Sequence, residues 1–346
     1  MSGGGIRIGD RAVDGEAPTY VVAEIGVNHD GSLGRALELV DAAAGTGADA
    51  VKLQWFEADR LVGDAGSIAT YQRRANVSNQ LELLRGLELG RAAMAELVEA
   101  IHRRGLQAVV TVFNEGLVPI AAELPWDAWK TASPDIVHRP LLDRLVADGR
   151  PILVSTGASD LEEVKRADRW LDSAPVVLMH CVSAYPTPES SAGLGAIASI
   201  ASATGRPTGY SDHTGETTTG GLAVAAGAVL LEKHLTWDRN AKGPDHAASL
   251  DPEAFAVFVD FARRARRAVG DRTKRVAAIE TDVRRVARQS LRAARALSPG
   301  TRLVATDIVV KRPGDGIEPW RLDEIVGREL RVPLEPDAPI LDGDLG

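Results

Sequence analysis

Two histidines, His213 and His234, stand at the ends of two consecutive predicted β-strands, an arrangement able to hold a divalent metal ion. Imidazole is a common ligand of such metals. No cysteine pair accompanies the histidines, which argues against a closed structural zinc site. Two imidazoles leave positions open for water and substrate oxygens, as a Lewis acid that polarises a carbonyl requires. The alternative is a pair of hydrogen-bonded histidines; Asp212 and Glu232 beside them are candidate acceptors that would orient the rings.

A second set of polar residues, at the ends of separate predicted strands, suits a phosphate monoester. Ammonium groups and hydroxyls together satisfy the charge and the oxygens of a phosphate. The protein carries a net charge of −8, so an anionic substrate needs a local positive site against the overall field. A single lysine is more often solvated, whereas two at strand ends favour a function. The set consists of Lys52, Thr111, Lys130, Ser133, Ser155 and Ser211.

A third group of side chains offers the hydrogen bonds that polyols prefer: Glu24, Gln54, Tyr185 and Asp245. Each has a structural alternative. Tyr185 precedes a proline and would also suit a rigid loop, and Asp245 lies in a Gly-Pro-Asp-His sequence typical of turns.

The elements that must position these residues are eight short β-branched runs that alternate with helical patterns, which is typical of βα units and a parallel sheet. We predict a (β/α)₈ barrel over residues 20–270, whose active site lies at the carboxyl ends of the strands. An open dinucleotide-binding sheet would need a glycine-rich phosphate loop after its first strand, and residues 26–31 lack that fingerprint. The predicted strands are 21–24, 50–54, 107–111, 128–130, 152–155, 176–180, 207–211 and 229–233.

The pattern changes on both sides of the barrel. Residues 1–19 predict a small hairpin that plugs the barrel's bottom. Residues 271–288 predict an arginine-rich linker, and 289–346 a compact β-rich domain with Pro-Gly turns. Residues 57–88 are too long for a simple βα connection and are a candidate lid or oligomer contact.

The composition is that of an ordinary globular protein, with 346 residues, 45% hydrophobic and 25% charged. One cysteine, Cys181, fits a reducing compartment. The first twenty residues lack the pattern of a signal peptide, and the longest low-polarity run, residues 220–231, is shorter than a membrane span. We therefore expect a cytoplasmic protein without a membrane partner.

Charge is distributed unevenly along the chain. Residues 263–312 carry +11, and the remainder carries −19. The basic stretch lacks interleaved aromatic residues, so we expect no nucleic-acid partner. It is either a solvated helix and linker or an arm that docks on an acidic surface of this chain or of a partner.

Several stretches in the same order resemble the sialic acid synthase family, the phosphoenolpyruvate-dependent synthases of nonulosonic acids. The resemblance covers nearly the whole chain. The last matching segment is similar to the mark of the family's antifreeze-like (SAF) domain. The segments are 23–31 (AEIGVNHDG), 47–54 (GADAVKLQ), 209–215 (GYSDHTG), 232–234 (EKH), 243–246 (GPDH) and 310–317 (VKRPGDGI).

The resemblance implies a metal-dependent condensation in the barrel and a homodimer whose SAF domains swap onto the partner's active site. It implies manganese as the usual cofactor, with magnesium or cobalt as alternatives. His213 and His234 match the metal ligands, and Arg312 matches an arginine delivered by the neighbouring subunit. The matches around phosphoenolpyruvate are Lys52, Thr111, Lys130, Ser133, Ser155 and Ser211; those on the sugar side are Glu24, Gln54, Tyr185, Asp245 and Arg312; Glu24, Asp135 and Arg312 are the catalytic candidates.

Departures from the family pattern leave the acceptor sugar open. Trp55, Val112, Asn114 and Pro134 replace the usual residues, and Asp135 stands where a longer glutamate is common. We expect these changes to line the acceptor pocket, with Trp55 narrowing it or stacking on a deoxygenated sugar. The alternatives are the same fold acting on another aldose, a non-catalytic sugar-binding barrel, a metal aldolase that releases no phosphate, and a Schiff-base lysine.

Overall fold

The computed structural model describes residues 6–62 and 80–346, and it contains a closed barrel of eight parallel strands. Strand β10 pairs with β3 to close the ring, and the other barrel strands pair in sequence order. All eight predicted strands are present, so the predicted (β/α)₈ barrel is confirmed. The barrel strands are β3 (Tyr20–Gly26), β4 (Ala50–Trp55), β5 (Gln107–Val112), β6 (Ala128–Thr131), β7 (Ile152–Ser155), β8 (Val176–Cys181), β9 (Thr208–Asp212) and β10 (Leu230–His234).

Helices follow the strands and surround the barrel. Helix α1 begins where the Ser32 hydroxyl accepts a hydrogen bond from the Arg35 amide, and it ends at Gly47, whose φ of 82° favours glycine. The helices of this unit are α1 (Leu33–Thr46), α2 (Ala58–Leu61), α3 (Gln80–Leu87), α4 (Arg91–Arg103), α5 (Val118–Ala122), α6 (Arg139–Asp148), α7 (Leu161–Trp170), α8 (Gly195–Thr204), α9 (Thr219–Ala226) and α10 (Pro252–Val269).

Side chains alternate along each barrel strand because successive residues of a strand point to opposite faces. On β4, Val51 and Leu53 pack in the apolar layer between strands and helices, whereas Ala50 belongs to the cluster inside the barrel. Lys52 lies two residues beyond Ala50 on the same face. The inner layer is therefore apolar near the start of the strands and polar at their carboxyl ends.

A hairpin of β1 (Ile6–Ile8) and β2 (Arg11–Val13) precedes the barrel. Ile6, Ile8 and Val13 belong to the same apolar cluster as the residues inside the barrel, so the hairpin covers the apolar end. Residues 63–79, within the predicted lid or oligomer contact, lie outside the described residues. Among the described residues, no helix combines the length and apolar character needed to cross a membrane.

The chain divides into two compact units, residues 1–271 and 272–346. The second unit has its own apolar core, which includes Leu291, Leu303, Ile325 and Ile340. Its two strands, β11 (Ser290–Ala293) and β12 (Ile308–Lys311), pair antiparallel. Its helices are α11 (Thr281–Ala287) and α12 (Leu322–Ile325).

Candidate active site

The carboxyl ends of β3, β4 and β5 bring a buried lysine against a carboxylate. Lys52 Nζ lies 2.6 Å from Glu24 Oε2 and donates to Thr111 Oγ1 at 3.2 Å. The other carboxylate oxygen of Glu24 accepts a 2.8 Å hydrogen bond from the Gln54 amide. A side chain on Gly26 would come within 2.2 Å of Glu24 Oε1, so a glycine there leaves room for this contact. Four of the predicted site residues therefore form one connected group.

The second lysine lies at the ends of β6 and β7. Lys130 Nζ donates to Ser155 Oγ and to the Thr131 carbonyl. Beyond β6, Ser133 Oγ accepts a 3.2 Å hydrogen bond from the Gly157 amide. A side chain on Gly157 would come within 2.6 Å of both Ser133 Oγ and Cys181 Sγ. Backbone and hydroxyl donors therefore stand close together next to this lysine.

Glu232, on β10, links the two lysines. Its Oε1 accepts a 2.9 Å hydrogen bond from Ser211 and lies 3.7 Å from Lys52 Nζ and 3.9 Å from Lys130 Nζ. Its Oε2 is buried and has no hydrogen-bond partner. The sequence predicts a different role for Glu232, as an acceptor for a histidine ring. Its place between the lysines was missed, although its spacing of two residues from His234 put both on the inner face.

Burial and mutual attraction set the charges of this group. Burial disfavours the ionised form of Glu232, but Lys130 and Lys52 outweigh that effect and lower the pKa of this carboxyl. Burial also opposes the charge on Lys52, yet Glu232 and Glu24 raise the pKa of its ammonium group. For Lys130 burial prevails, and its pKa is lowered. The ion pairing therefore keeps Lys52 positively charged although its side chain is buried.

His213 and His234 lie side by side, with ring centroids 5.7 Å apart. The Nδ1 of His213 lies 2.7 Å from the Val182 carbonyl, which can only accept, so this nitrogen carries the proton and Nε2 keeps its lone pair. The Nδ1 of His234 is buried without a hydrogen-bond partner. Burial lowers the pKa of His213 to about 4 and that of His234 well below its usual range. Both rings are therefore neutral, as metal ligands must be.

Two predicted sugar-side residues lie against these histidines. The Tyr185 ring packs on His213, with centroids 4.2 Å apart, and presents its edge to His234 at 6.0 Å. Asp245 Oδ2 lies 3.7 Å from His234 Nδ1. The Asp245 carbonyl accepts a 2.7 Å hydrogen bond from Ser249, which fixes its loop. Ser211 connects the phosphate-type group with the pair of histidines, because its hydroxyl donates to Glu232 and lies 3.4 Å from His213 Nε2.

The predicted catalytic residues Asp135 and Arg312 lie outside this contact network. Asp135 belongs to a short 3₁₀ helix after β6, Ser133–Val137, and one of its oxygens is buried without a partner. Burial raises the pKa of Asp135 to about 6. Arg312 belongs to the second unit, where it directly follows β12 and is exposed.

Three expectations about side-chain direction and one about a hydrogen-bond partner are wrong. Trp55 and Val112 pack outward in the apolar layer beneath the helices, so they do not line the barrel mouth as predicted. Asp212 also faces outward, where it pairs with Lys233 instead of a histidine ring. Glu232 faces inward but bonds Ser211, while the His213 ring bonds the Val182 carbonyl. For Trp55, Val112 and Asp212 the alternation of the strand decides the direction.

Two further departures affect the loops. The Asn114 side chain accepts a hydrogen bond from the Leu117 amide just before α5, so it caps a turn. Its other side-chain atom, the amide nitrogen, is buried without a partner. Pro134 occupies the first turn of the 3₁₀ helix that carries Asp135, a position that suits its fixed φ.

Asp245 supplies a prediction about pH and stability. Burial and the nearby Glu24 raise its pKa to about 7, far above the value in an unfolded chain. The folded state therefore binds this proton more tightly, and stability is lost as the pH rises from about 4 through 7. Asp245→Asn should raise the free energy of unfolding of the metal-free protein by roughly 2 kcal/mol at pH 8, with a steadily smaller gain towards pH 4.

Urea unfolding of both proteins across this pH range measures the effect. Asp172→Asn, at an exposed site, is the matched control and should leave the pH profile unchanged. A gain that is independent of pH would contradict the explanation.

The fold and the site together define a class: a closed barrel whose mouth combines two buried lysines, a bridging carboxylate and two neutral histidines. Comparison with known families is more specific. Residues 39–274 match the NeuB family, and residues 288–346 match the SAF domain. The chain belongs to the NeuB family. It is an enzyme of the synthase type, a transferase that forms carbon–carbon bonds.

Individual relatives agree with this assignment. The N,N'-diacetyllegionaminic acid synthase of Legionella pneumophila is 36% identical over 331 residues, which cover 93% of each chain. The enzyme of the same name from Campylobacter jejuni is 33% identical and covers 90% of this chain and 95% of its own. Among solved structures, the N-acetylneuraminic acid synthetase of Leptospira borgpetersenii superposes with a TM-score of 0.75 at 30% identity, covering 81% of this chain and 95% of that one.

Proposed function

We propose that this enzyme condenses phosphoenolpyruvate with an open-chain N-acylated hexosamine to give a nonulosonic acid and inorganic phosphate. The observation that carries the proposal is the adjacency of the two halves of the site. Lys52, Lys130 and Ser211 all lie against one oxygen, Glu232 Oε1, and Ser211 Oγ lies 3.4 Å from Nε2 of His213, one of the two neutral histidines. The names of the relatives support a nonulosonic acid as the product.

The lysine side of the site suits phosphoenolpyruvate. Its phosphate would take two hydrogen-bonded pairs, the ammonium group of Lys130 with Ser155 and the Gly157 amide with Ser133. Lys52 and Thr111 would hold the carboxylate end. The negative charges of the substrate would attract both lysines, as the Glu232 carboxylate does in the free enzyme.

A divalent metal, manganese above all and otherwise magnesium or cobalt, fits the histidine side. His213 and His234 would hold it, since both rings are neutral and the buried Nδ1 of His234 has no partner. Across residues 6–62 and 80–346, no group of three or more His, Cys, Asp or Glu side chains could hold a metal ion. With only the two histidines as ligands, a metal would keep coordination positions for water and substrate. When bound, the metal would act as a Lewis acid towards the aldehyde of the acceptor.

The remaining steps use the chain's own residues. Carbon 3 of phosphoenolpyruvate attacks the aldehyde carbon, and positive charge develops on carbon 2. Glu24 and Gln54, already hydrogen-bonded, would orient the acceptor's hydroxyls, and Asp135 would take the proton from the water that adds to carbon 2. The aldehyde oxygen becomes a hydroxyl by gaining a proton, and Asp245, beside His234, is positioned to donate it. Loss of phosphate from carbon 2 leaves the 2-keto acid.

The acceptor is N-acetylmannosamine or a 2,4-diacetamido-2,4,6-trideoxyhexose. The names of the two legionaminic acid synthases favour the second sugar. Trp55 and Val112 point away from the barrel interior, so they give no ground for a narrowed pocket.

Inorganic phosphate release tests the proposal. The purified, metal-stripped enzyme should release phosphate only when phosphoenolpyruvate, manganese and one of these acceptors are all present. Sugar binding without phosphate release would favour a non-catalytic barrel, and a carbon–carbon product without phosphate release would favour an aldolase. A borohydride-trapped adduct on either lysine would favour the Schiff-base route.

We infer a domain-swapped homodimer in which Arg312 serves the partner's barrel. Arg312→Ala alone should lower kcat/KM about 10²-fold, the loss typical of one removed charge-stabilising donor. An excess of His213→Ala chains, whose Arg312 is intact, should restore activity when the two inactive variants are unfolded together and refolded. Recovery of a quarter or more of the wild-type rate per mixed dimer is expected. No recovery, with mixed dimers present by mass spectrometry, would place Arg312 in its own barrel or outside the site.

A further inference from the structure

Behind the two histidines, on the outer face of the barrel, lies an ion pair that the proposed mechanism does not use. Lys233 and Asp212 are directly paired in the register of β10 and β9, and Lys233 Nζ lies 3.1 Å from Asp212 Oδ2. Both side chains are fully buried. Lys233 faces the Phe258 ring of α10 at 5.6 Å, so it points towards the helices and away from the substrates.

This pair is unusual for its position. The outward residues of the barrel strands are mostly apolar, as Val51, Val110, Val154 and Leu231 illustrate. Burying two charges costs desolvation energy, and apolar residues of similar volume often serve stability equally well or better. A stable barrel therefore does not require an ion pair here. The role of this pair follows from the groups that it binds.

The pair binds the backbone of Thr214, the residue that follows His213. Asp212 Oδ1 accepts a 2.8 Å hydrogen bond from the Thr214 amide, and Lys233 Nζ donates to the Thr214 carbonyl at 2.5 Å. Asp212 Oδ2 also accepts from the Thr219 hydroxyl at the start of α9. Both polar backbone groups of the residue after His213 are thus fixed from behind the strand.

On the inner side, the His213 ring is held by only one strong hydrogen bond, from Nδ1 to the Val182 carbonyl. That bond sets the tautomer, but the distance between His213 and His234 depends on where the backbone of β9 ends. Lys233 is the neighbour of His234, and Asp212 is the neighbour of His213. The ion pair therefore joins the two histidine-bearing strand ends at their last registered position.

We propose that Asp212 and Lys233 are positioning residues that fix the spacing of His213 and His234 for divalent metal binding. The inference rests on the proposed function, because it assigns those histidines to the metal. In this proposal the ion pair serves the geometry of the two histidines and not the stability of the barrel. Removing the pair without unfolding the protein should weaken metal binding.

The test is manganese titration of the full-length protein, with free Mn²⁺ followed by electron paramagnetic resonance. The double variant Asp212→Leu/Lys233→Met replaces the pair by apolar residues and should keep a cooperative thermal transition. Its Kd for Mn²⁺ should rise at least about tenfold, since a ring displaced from its productive position loses most of its contribution to binding. A folded double variant with a Kd within about twofold of wild type would overturn the proposal.

A matched control is available at the opposite end of β9. Arg206 Nε lies 2.7 Å from Asp168 Oδ1, and Arg206 precedes the strand. Asp168→Leu/Arg206→Met removes an ion pair next to the same strand and should leave the Kd for Mn²⁺ unchanged. Weakened binding in this control would also overturn the proposal, because a general loss of stability would then explain the effect.

Thr219→Val provides a second variant should the double variant not fold. It removes one hydroxyl donor to Asp212 and leaves both charges in place. Its Kd should rise about two- to fivefold, and an unchanged Kd would overturn the proposal. Wild-type protein that binds no Mn²⁺ would overturn the proposed metal site together with this inference. Tight binding by wild type, lost in His213→Ala but kept in the double variant, would overturn the inference alone.

Discussion

His213→Ala is expected to lower manganese-dependent phosphate release by about 10³-fold or more. The ring is neutral, its Nδ1 proton is donated to the Val182 carbonyl, and its Nε2 keeps a lone pair with which to bind a metal. Loss of a metal-bound Lewis acid removes several kcal/mol of transition-state stabilisation, and each 1.36 kcal/mol corresponds to tenfold in rate. Initial rates at saturating phosphoenolpyruvate and a titration with Mn²⁺ measure the two effects separately.

His180 provides a matched control. It also stands near the end of a barrel strand, but its ring stacks on Tyr210 and its Nε2 lies 2.9 Å from the Ala192 carbonyl, on the outer face. His180→Phe should leave the Mn²⁺ affinity and the phosphate release within about threefold of wild type. An equal loss in both variants would mean that the damage is general and that His213 has no special role.

Lys130→Met is expected to lower kcat/KM for phosphoenolpyruvate by about 10³-fold. Methionine keeps much of the volume but removes the ammonium group that donates to Ser155 and faces Glu232. Without this ammonium group, a bound phosphate would be repelled more strongly by the Glu232 carboxylate. The buried surroundings screen this repulsion poorly. Kinetics with varied phosphoenolpyruvate at saturating acceptor measure the change, and most of it should appear in KM because binding is lost.

The exposed Lys165, which pairs with Glu162 on α7, is the control for this substitution. Lys165→Met should leave kcat/KM within about twofold of wild type. Adding Glu232→Gln to Lys130→Met should recover part of the lost affinity, since it removes the uncompensated carboxylate. No recovery in the double variant would contradict the role given to Glu232 as the charge that bridges the lysines.

The sequence was sufficient for the barrel because its strands are short apolar runs whose lengths and spacing repeat. Most candidate site residues lie on the inner face of strand ends, where the periodicity of the strands puts them. The prediction for Trp55 and Val112 is wrong because a departure from the family pattern does not by itself expose a side chain to substrate. Each lies one residue beyond an inward neighbour, Gln54 and Thr111, so alternation turns it outward.

By itself, the sequence determined the fold class, the order of the elements and the types of side chain at the barrel mouth, because local periodicity and residue chemistry are written along the chain. Only the tertiary structure decided which of these side chains meet. Glu232 lies between Lys52 and Lys130, and Asp212 joins Lys233 behind the histidines, through contacts between residues up to 180 positions apart. The charge states follow from those contacts and from burial, which exist only once the barrel has closed.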